Sequence, residues 1–380
     1  MAAAARGTKP NRGRAGPAHD PVSLLERLVA IPSHTSEARL QRFLSRLLEG
    51  AGFRVTLQEV APGRVNLVAR RGEGGPVLCT HADTVRPFSH PDPFRIRRLG
   101  GRLVGRGAVD AKGQLAAVLA AALGTDRPVT VVALADEEGD ALGSRRVRLP
   151  ASARRDGVLV LEPTGFEVCP AQCGYLDLEL SVDGPGGHVD ARDVRGAVER
   201  LLGELGRLSR ASRRWAVRPC LVQGGEDFWR ASGRARALVH LTLPPGTSLK
   251  EARRVARAAG PGVRVRVDDA EPPTTSTGGR MLPALRLALR AAGLAPRRGV
   301  FASWSDGAYL GARGYPWVVF GAGHLSSAHS DLEWVAEADL RTLARVLALL
   351  IQGWHPAREA GSVRAAPGPP ERWPGRGPSS

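Results

Sequence analysis

Several short stretches of this 380-residue chain end apolar runs with groups that bind metals or move protons. After residues 76–80 come His81 and Asp83, whose i,i+2 spacing puts both polar side chains on one face if the strand continues. After 129–135 come Asp136, Glu137, Glu138 and Gly139, and after 158–161 comes Glu162. The loop 105–113, Gly-Arg-Gly-Ala-Val-Asp-Ala-Lys-Gly, carries Asp110 just before a predicted helix, and a late strand precedes His324 and His329. Singly, each has an ordinary reading: Asp110 as a helix cap, Glu137 and Glu138 as a solvated turn, His81 as a satisfied core histidine. Together they are harder to explain that way. Carboxylates crowded at one sheet edge repel each other unless cations neutralise them. Mixed imidazole and carboxylate donors without thiolate suit zinc, with cobalt or manganese also fitting.

In open parallel sheets, ligands gather beyond the carboxyl ends of strands, so the surrounding elements must form such a sheet. Helices are expected after Asp20 and over 37–50 and 113–123, and short β-rich runs at 66–69, 77–80, 129–135 and 158–161. This rhythm predicts an α/β fold, a mostly parallel sheet covered by helices. From residue 174 the order becomes strand, helix, two strands, helix, strand. That βαββαβ pattern predicts an inserted α+β lid domain over 174–274. The catalytic domain is then split between 20–173 and 275–355, with disordered tails at 1–19 and 356–380.

The motifs His81-Ala-Asp83-Thr-Val, Gly105 to Gly113, Asp136-Glu137-Glu138-Gly139, Glu162-Pro-Thr164 and Ala328-His329-Ser-Asp-Leu-Glu333-Trp-Val335 occur in order. In this the chain resembles the dinuclear zinc peptidases and amidohydrolases, the family of acetylornithine deacetylase, succinyl-diaminopimelate desuccinylase, aminoacylase and carboxypeptidase G. The resemblance spans about residues 22–352. It implies that Asp110 bridges two divalent metals, one also held by His81 and Glu162, the other by Glu138 and His329. Asp83 would orient His81, Glu137 would be the general base, and a cis peptide is implied after Asp110.

Two metals acidify a water lodged between them, and Glu137 would move its proton to the departing amine. A lid histidine reaching across a dimer would stabilise the oxyanion, and His188 occupies the corresponding place. Val189 replaces the usual small residue after it, and a proline expected nearby is missing, so an ordinary turn position for His188 stays open. Trp304, in Trp304-Ser305-Asp306-Gly307, stands where the family's pocket turn has threonine.

The loop 105–113 and Leu243-Pro-Pro-Gly246 look most similar to the branch that releases lysine or ornithine from an acidic amino-group carrier protein. Small N-acyl amino acids, as in acetylornithine deacetylase, and dipeptides are the alternatives within the family. A metal-free binding protein on the same fold is the alternative outside it.

Composition bounds these readings. Hydrophobic residues make up 43% and charged residues 24%, which excludes wholesale disorder and a membrane bundle. The length excludes a disulfide-stapled mini-protein. The formal net charge is +17, of which residues 20–355 keep +11 once the basic termini are set aside. An acidic partner would be steered by such a charge, although three lysines against 51 arginines is also what a GC-rich genome produces. No zinc finger, aromatic RNA-binding signature or basic zipper occurs, so nucleic acid is not the expected partner. The four cysteines lack paired metal-ligand spacing, and residues 1–17 lack the apolar middle of a secretory signal, so a cytoplasmic protein is expected.

Overall fold

A computed structural model describes residues 19–192, 194–212 and 214–355. Six strands form the main sheet, in the order Arg54–Ala61, Arg64–Arg71, Val129–Leu134, Val77–His81, Val158–Leu161, Trp317–Phe320. The first two strands and the junction to the third are antiparallel, and the remaining neighbours are parallel. The expected α/β class, with a mostly parallel central sheet, is what the chain adopts.

Valine and leucine dominate the strands Val77–His81, Val129–Leu134, Val158–Leu161 and Trp317–Phe320, which are buried at every position. Alternate side chains serve two cores. Leu78, Val131, Ala133, Leu159 and Phe320 pack against helices including Pro21–Val29, Ala38–Gly50, Lys112–Leu123, Met281–Ala291 and Glu337–Gly353. Val77, Cys79, Val132, Val160 and Trp317 face the opposite side, against Val147, Phe301, Leu310 and Tyr315. Asp20 caps the first helix, accepting from the backbone N–H of Ser23 at 3.1 Å, and Pro21 fits the first turn.

A second sheet follows in the chain, ordered Ala216–Gly224, Arg234–Leu243, Gly174–Asp183, Val263–Glu271, all antiparallel. Its strands alternate, with Leu176, Leu178, Leu180 and Val182 turned towards helices Ala197–Ala211 and Leu249–Arg257, while Tyr175, Asp177 and Glu179 occupy the uncovered face. These elements follow the βαββαβ order.

The residues expected to be disordered at 1–18 and 356–380 lie outside the described residues; His19 sits half-buried before the first helix. All four cysteines are free thiols: Cys79, Cys169 and Cys173 are buried, whereas Cys220 is exposed on the edge strand Ala216–Gly224. Its position coincides with a register shift between Pro219 and Leu221. Among the described residues no helix is long and apolar enough to cross a membrane.

Candidate metal centre

The strand Val77–His81 ends on His81, whose imidazole is fully buried. Its Nδ1–H donates to the main-chain oxygen of Asp83 at 3.1 Å and lies 3.4 Å from the Asp83 carboxylate, leaving Nε2 to face the cluster. Asp83 lies past the strand end, so strand alternation does not set its direction. Its carboxylate instead accepts the backbone N–H groups of Glu137 at 3.2 Å and Glu138 at 3.0 Å. It therefore ties the turn after Val129–Leu134 to the turn after His81.

Asp110 sits at the centre of the cluster, joined to Ala111 by a cis peptide bond. Its Oδ1 is 2.9 Å from His81 Nε2, and its Oδ2 is 3.4 Å from His329 Nε2. Glu162 Oε1 lies 3.9 Å from His81 Nε2, and Glu138 Oε1 lies 3.1 Å from His329 Nε2. The structure thus brings His81, Asp110, Glu138, Glu162 and His329 into one neighbourhood, with Glu137 beside them. His329 has φ 57°, in the left-handed region that non-glycine residues seldom occupy, within a turn closed by Ser330 Oγ donating to Ser327 O at 2.9 Å. His81 is deep, whereas the His329 ring is half-exposed to the cleft.

Electrostatics describe a site in need of positive charge. Burial pushes the carboxyls of Glu137, Glu138 and Glu162 up from their ordinary range, and neighbouring carboxylates add to the rise. Burial opposes a charge on His329, yet Asp110 and Glu138 outweigh it and push the imidazole up to about 10. His81 is raised in the same way, by Asp110 and Asp83 against burial. Burial alone would raise Asp110, but the two imidazoles hold it well below the usual carboxylate range.

The donor set fits a metal pair. Ligand atoms at zinc-type bond lengths of about 2.0–2.1 Å stand about 3.3 Å apart around a tetrahedral ion. The distances above scatter around that spacing. His81 and Glu162 stand on one side of Asp110, and His329 and Glu138 on the other, with a different Asp110 oxygen nearest each imidazole. Donor atoms of His81, Asp110 and Glu138 all lie within 4.8 Å of one another.

The cluster opens into a cleft of about 900 Å³ whose far wall is the uncovered face of the second sheet. Cross-strand register aligns Arg218, His240, Asp177 and Asp269 in one row there. His240 Nδ1 is 2.7 Å from Asp177 Oδ1, and the Tyr175 hydroxyl donates to Asp269 Oδ2 at 2.6 Å. Trp304 lines the cleft edge-on to Tyr309, with ring centroids 5.0 Å apart, and to Tyr175 at 6.4 Å. Ser305 and Asp306, its neighbours in sequence, are buried behind it, and burial pushes the Asp306 carboxyl up to about 7.

His188 lies apart. It is exposed on the short strand Gly187–His188, which pairs with Arg230–Ala231, and its Nδ1 accepts from the backbone N–H of Asp190 at 3.2 Å. It is not among the residues lining this chain's cleft. Glu333, present in the sequence motif but without an expected role, is fully buried against the Asp110 loop.

Residues 77–353 match Peptidase family M20/M25/M40. The chain belongs to this family. As a member it is a hydrolase, and its relatives connect it to amino-acid metabolism. A Pyrobaculum aerophilum protein with the provisional name LysW-lysine/LysW-ornithine hydrolase is 31% identical over 341 residues, covering 87% of this chain and 96% of its own length. Acetylornithine deacetylase of Proteus mirabilis is 32% identical over 188 residues, 44% of this chain and 48% of that protein. Among solved structures, a Staphylococcus aureus tripeptidase superposes with a TM-score of 0.72 at 18% identity, covering 88% of this chain and 98% of its own.

Proposed function

We propose that this M20 hydrolase cleaves the amide joining lysine or ornithine to an acidic amino-group carrier protein, using two divalent metals, with zinc favoured by its donors. The observation that carries the metal reading is Asp110 offering separate oxygens to His81 and His329. When bound, the metals supply an acidified water and polarise the scissile carbonyl. In this reading His81, Asp110, Glu138, Glu162 and His329 hold the metals. Glu137, at the cleft floor with a carboxyl raised by burial, takes the water's proton and passes it to the leaving amine. Asp83 keeps the Glu137–Glu138 backbone in register with His81.

The exposed place of His188 supports an oxyanion role only from a partner subunit, so the reading includes a homodimer formed through the lid sheet. The exposed edge strand Ala216–Gly224 supports such an interface. Carrier recognition is supported by the full-length similarity to the Pyrobaculum aerophilum protein and by the net charge. Free thiols throughout agree with a reducing, cytoplasmic setting.

A substrate panel tests the assignment: carrier-linked lysine, carrier-linked ornithine, acetyl-ornithine, acetyl-lysine, succinyl-diaminopimelate and a dipeptide. The carrier-linked substrates are expected to give the highest kcat/KM. Preference for acetyl-ornithine, towards which the Proteus mirabilis similarity points, or for a dipeptide would replace the carrier assignment while keeping the chemistry.

A further inference from the structure

Behind the metal cluster lies a second set of polar contacts that the proposed reaction does not use. Glu333 and Arg106 form an ion pair at 2.6 Å with both side chains fully excluded from solvent. Glu333 Oε1 accepts the backbone N–H groups of Val109 and Asp110, each at 3.0 Å. Its Oε2 takes Arg106 Nη1, and Arg106 Nη2 donates to the main-chain oxygens of Pro87 at 3.2 Å and Ser330 at 3.1 Å. Glu333 is itself fixed by backbone pairing, because Gly105 N–H donates to its carbonyl at 2.9 Å and Trp334–Ala336 pairs with Arg102–Val104. One ion pair thus touches the Asp110 loop, the segment after Asp83 and the residue following His329.

We infer that Glu333, locked by Arg106, is a positioning residue that sets Asp110 and the His329 turn at metal-binding separation before any metal arrives. This rests on the reading of Asp110 and His329 as metal ligands. The physical case is one of order and cost. A buried carboxylate is expensive unless it is paired and hydrogen-bonded, and here one guanidinium N–H and two adjacent backbone N–H groups serve it. Asp110 can show one oxygen to each imidazole only if its backbone is held still, because its side chain has just two torsions. Two neighbouring N–H groups bound to one oxygen hold it so. The Ser330 contact does the same for the turn that presents His329, so a single pair couples both halves of the cluster.

Hydrogen exchange on the full chain, metal-loaded and metal-stripped, tests this directly. The Val109 and Asp110 amides are expected to be as protected in stripped as in loaded protein. Rapid exchange in stripped protein, slowed only by added metal, would overturn the inference, because the metal would then be ordering the loop. Glu333→Gln is expected to speed exchange at those two amides and weaken zinc affinity about 10- to 100-fold in a chelator competition, while Val131 in the central strand keeps its protection. A purely architectural role would instead lower melting temperature and leave zinc affinity of the folded fraction unchanged. Arg106→Lys, which keeps the charge but loses the fork to Pro87 and Ser330, is expected to weaken zinc binding with Val109 and Asp110 still protected. Unchanged zinc affinity in both variants sinks the proposal. Should Glu333→Gln not fold, the native-chain exchange decides alone. If the native chain binds no metal, the dinuclear reading fails, and the stripped-chain exchange still reports on the clasp.

Discussion

The two sheets of this molecule expose chemistry in opposite ways. In the main sheet the strands Val77–His81, Val129–Leu134, Val158–Leu161 and Trp317–Phe320 are buried on both faces, so polar groups can stand only where the strands stop. That is where His81, Glu137, Glu138 and Glu162 are found. The second sheet covers one face with helices and leaves the other uncovered, so its polar groups recur at every second residue, as Tyr175, Asp177 and Glu179 do. A doubly covered sheet concentrates polar groups at an edge, whereas a singly covered one spreads them over an area. The cleft between them joins an edge to a face.

This contrast can be broken at several points. Chelation should act wholly at the edge: hydrolysis should disappear, return with added zinc, and leave the far-UV circular dichroism of the stripped chain unchanged. Glu137→Gln should cost roughly 10²- to 10⁴-fold in kcat with both metals still bound by elemental analysis; a small loss would move the base to another carboxylate. His188→Ala should lose roughly 10²- to 10³-fold, and mixing it with Glu137→Gln should restore activity if the histidine acts across a dimer. Without such complementation, the lid wall works only within its own chain. Urea denaturation should separate the sheets: Leu159→Ala, fully buried in the main sheet, should cost about 2–5 kcal/mol, whereas Leu238→Ala, 39% exposed on the lid face, should cost about 0.5 kcal/mol or less. The smallest effect concerns recognition over an area. Raising ionic strength should slow cleavage of carrier-linked lysine more than of a small acyl-lysine, and equal sensitivity would remove the carrier from the face.

Much of this arrangement can be read from the chain, for reasons specific to each part. Val158–Leu161 and Trp317–Phe320 are readable because a strand buried on both faces has to be an unbroken apolar run. The lid elements are readable because alternation along residues such as 176, 178 and 180 has no helical alternative. The strand Arg54–Ala61 escapes such reading: on this edge strand Gln58 is buried while Leu57 is exposed, so its apolar residues do not mark the buried face. The three-residue strands Arg97–Leu99, Arg102–Val104 and Trp334–Ala336 are too short to carry a period. In the site, the convergence of His81, Asp110, Glu138, Glu162 and His329 is foreshadowed by ligand-type residues following apolar runs. The link from Asp83 to the Glu137 and Glu138 backbone is not, because a carboxylate reaching main-chain N–H groups leaves no mark on its partners' residue types. Glu333 is hidden for the same reason, its target amide at Asp110 lying 223 residues away.

The placement of the thiols gives the lid an experimental handle. Burial pushes Cys169 up to about 12 and Cys173 up to about 11, and raises Cys79 as well, so a maleimide at neutral pH meets three unreactive sulfurs in the body of the protein. Cys220 faces solvent on the outermost lid strand. If two subunits pair through that strand, a maleimide would reach Cys220 in the dissociated chain and be kept from it in the pair, so labelling followed against protein concentration would report the contact without any engineered substitution.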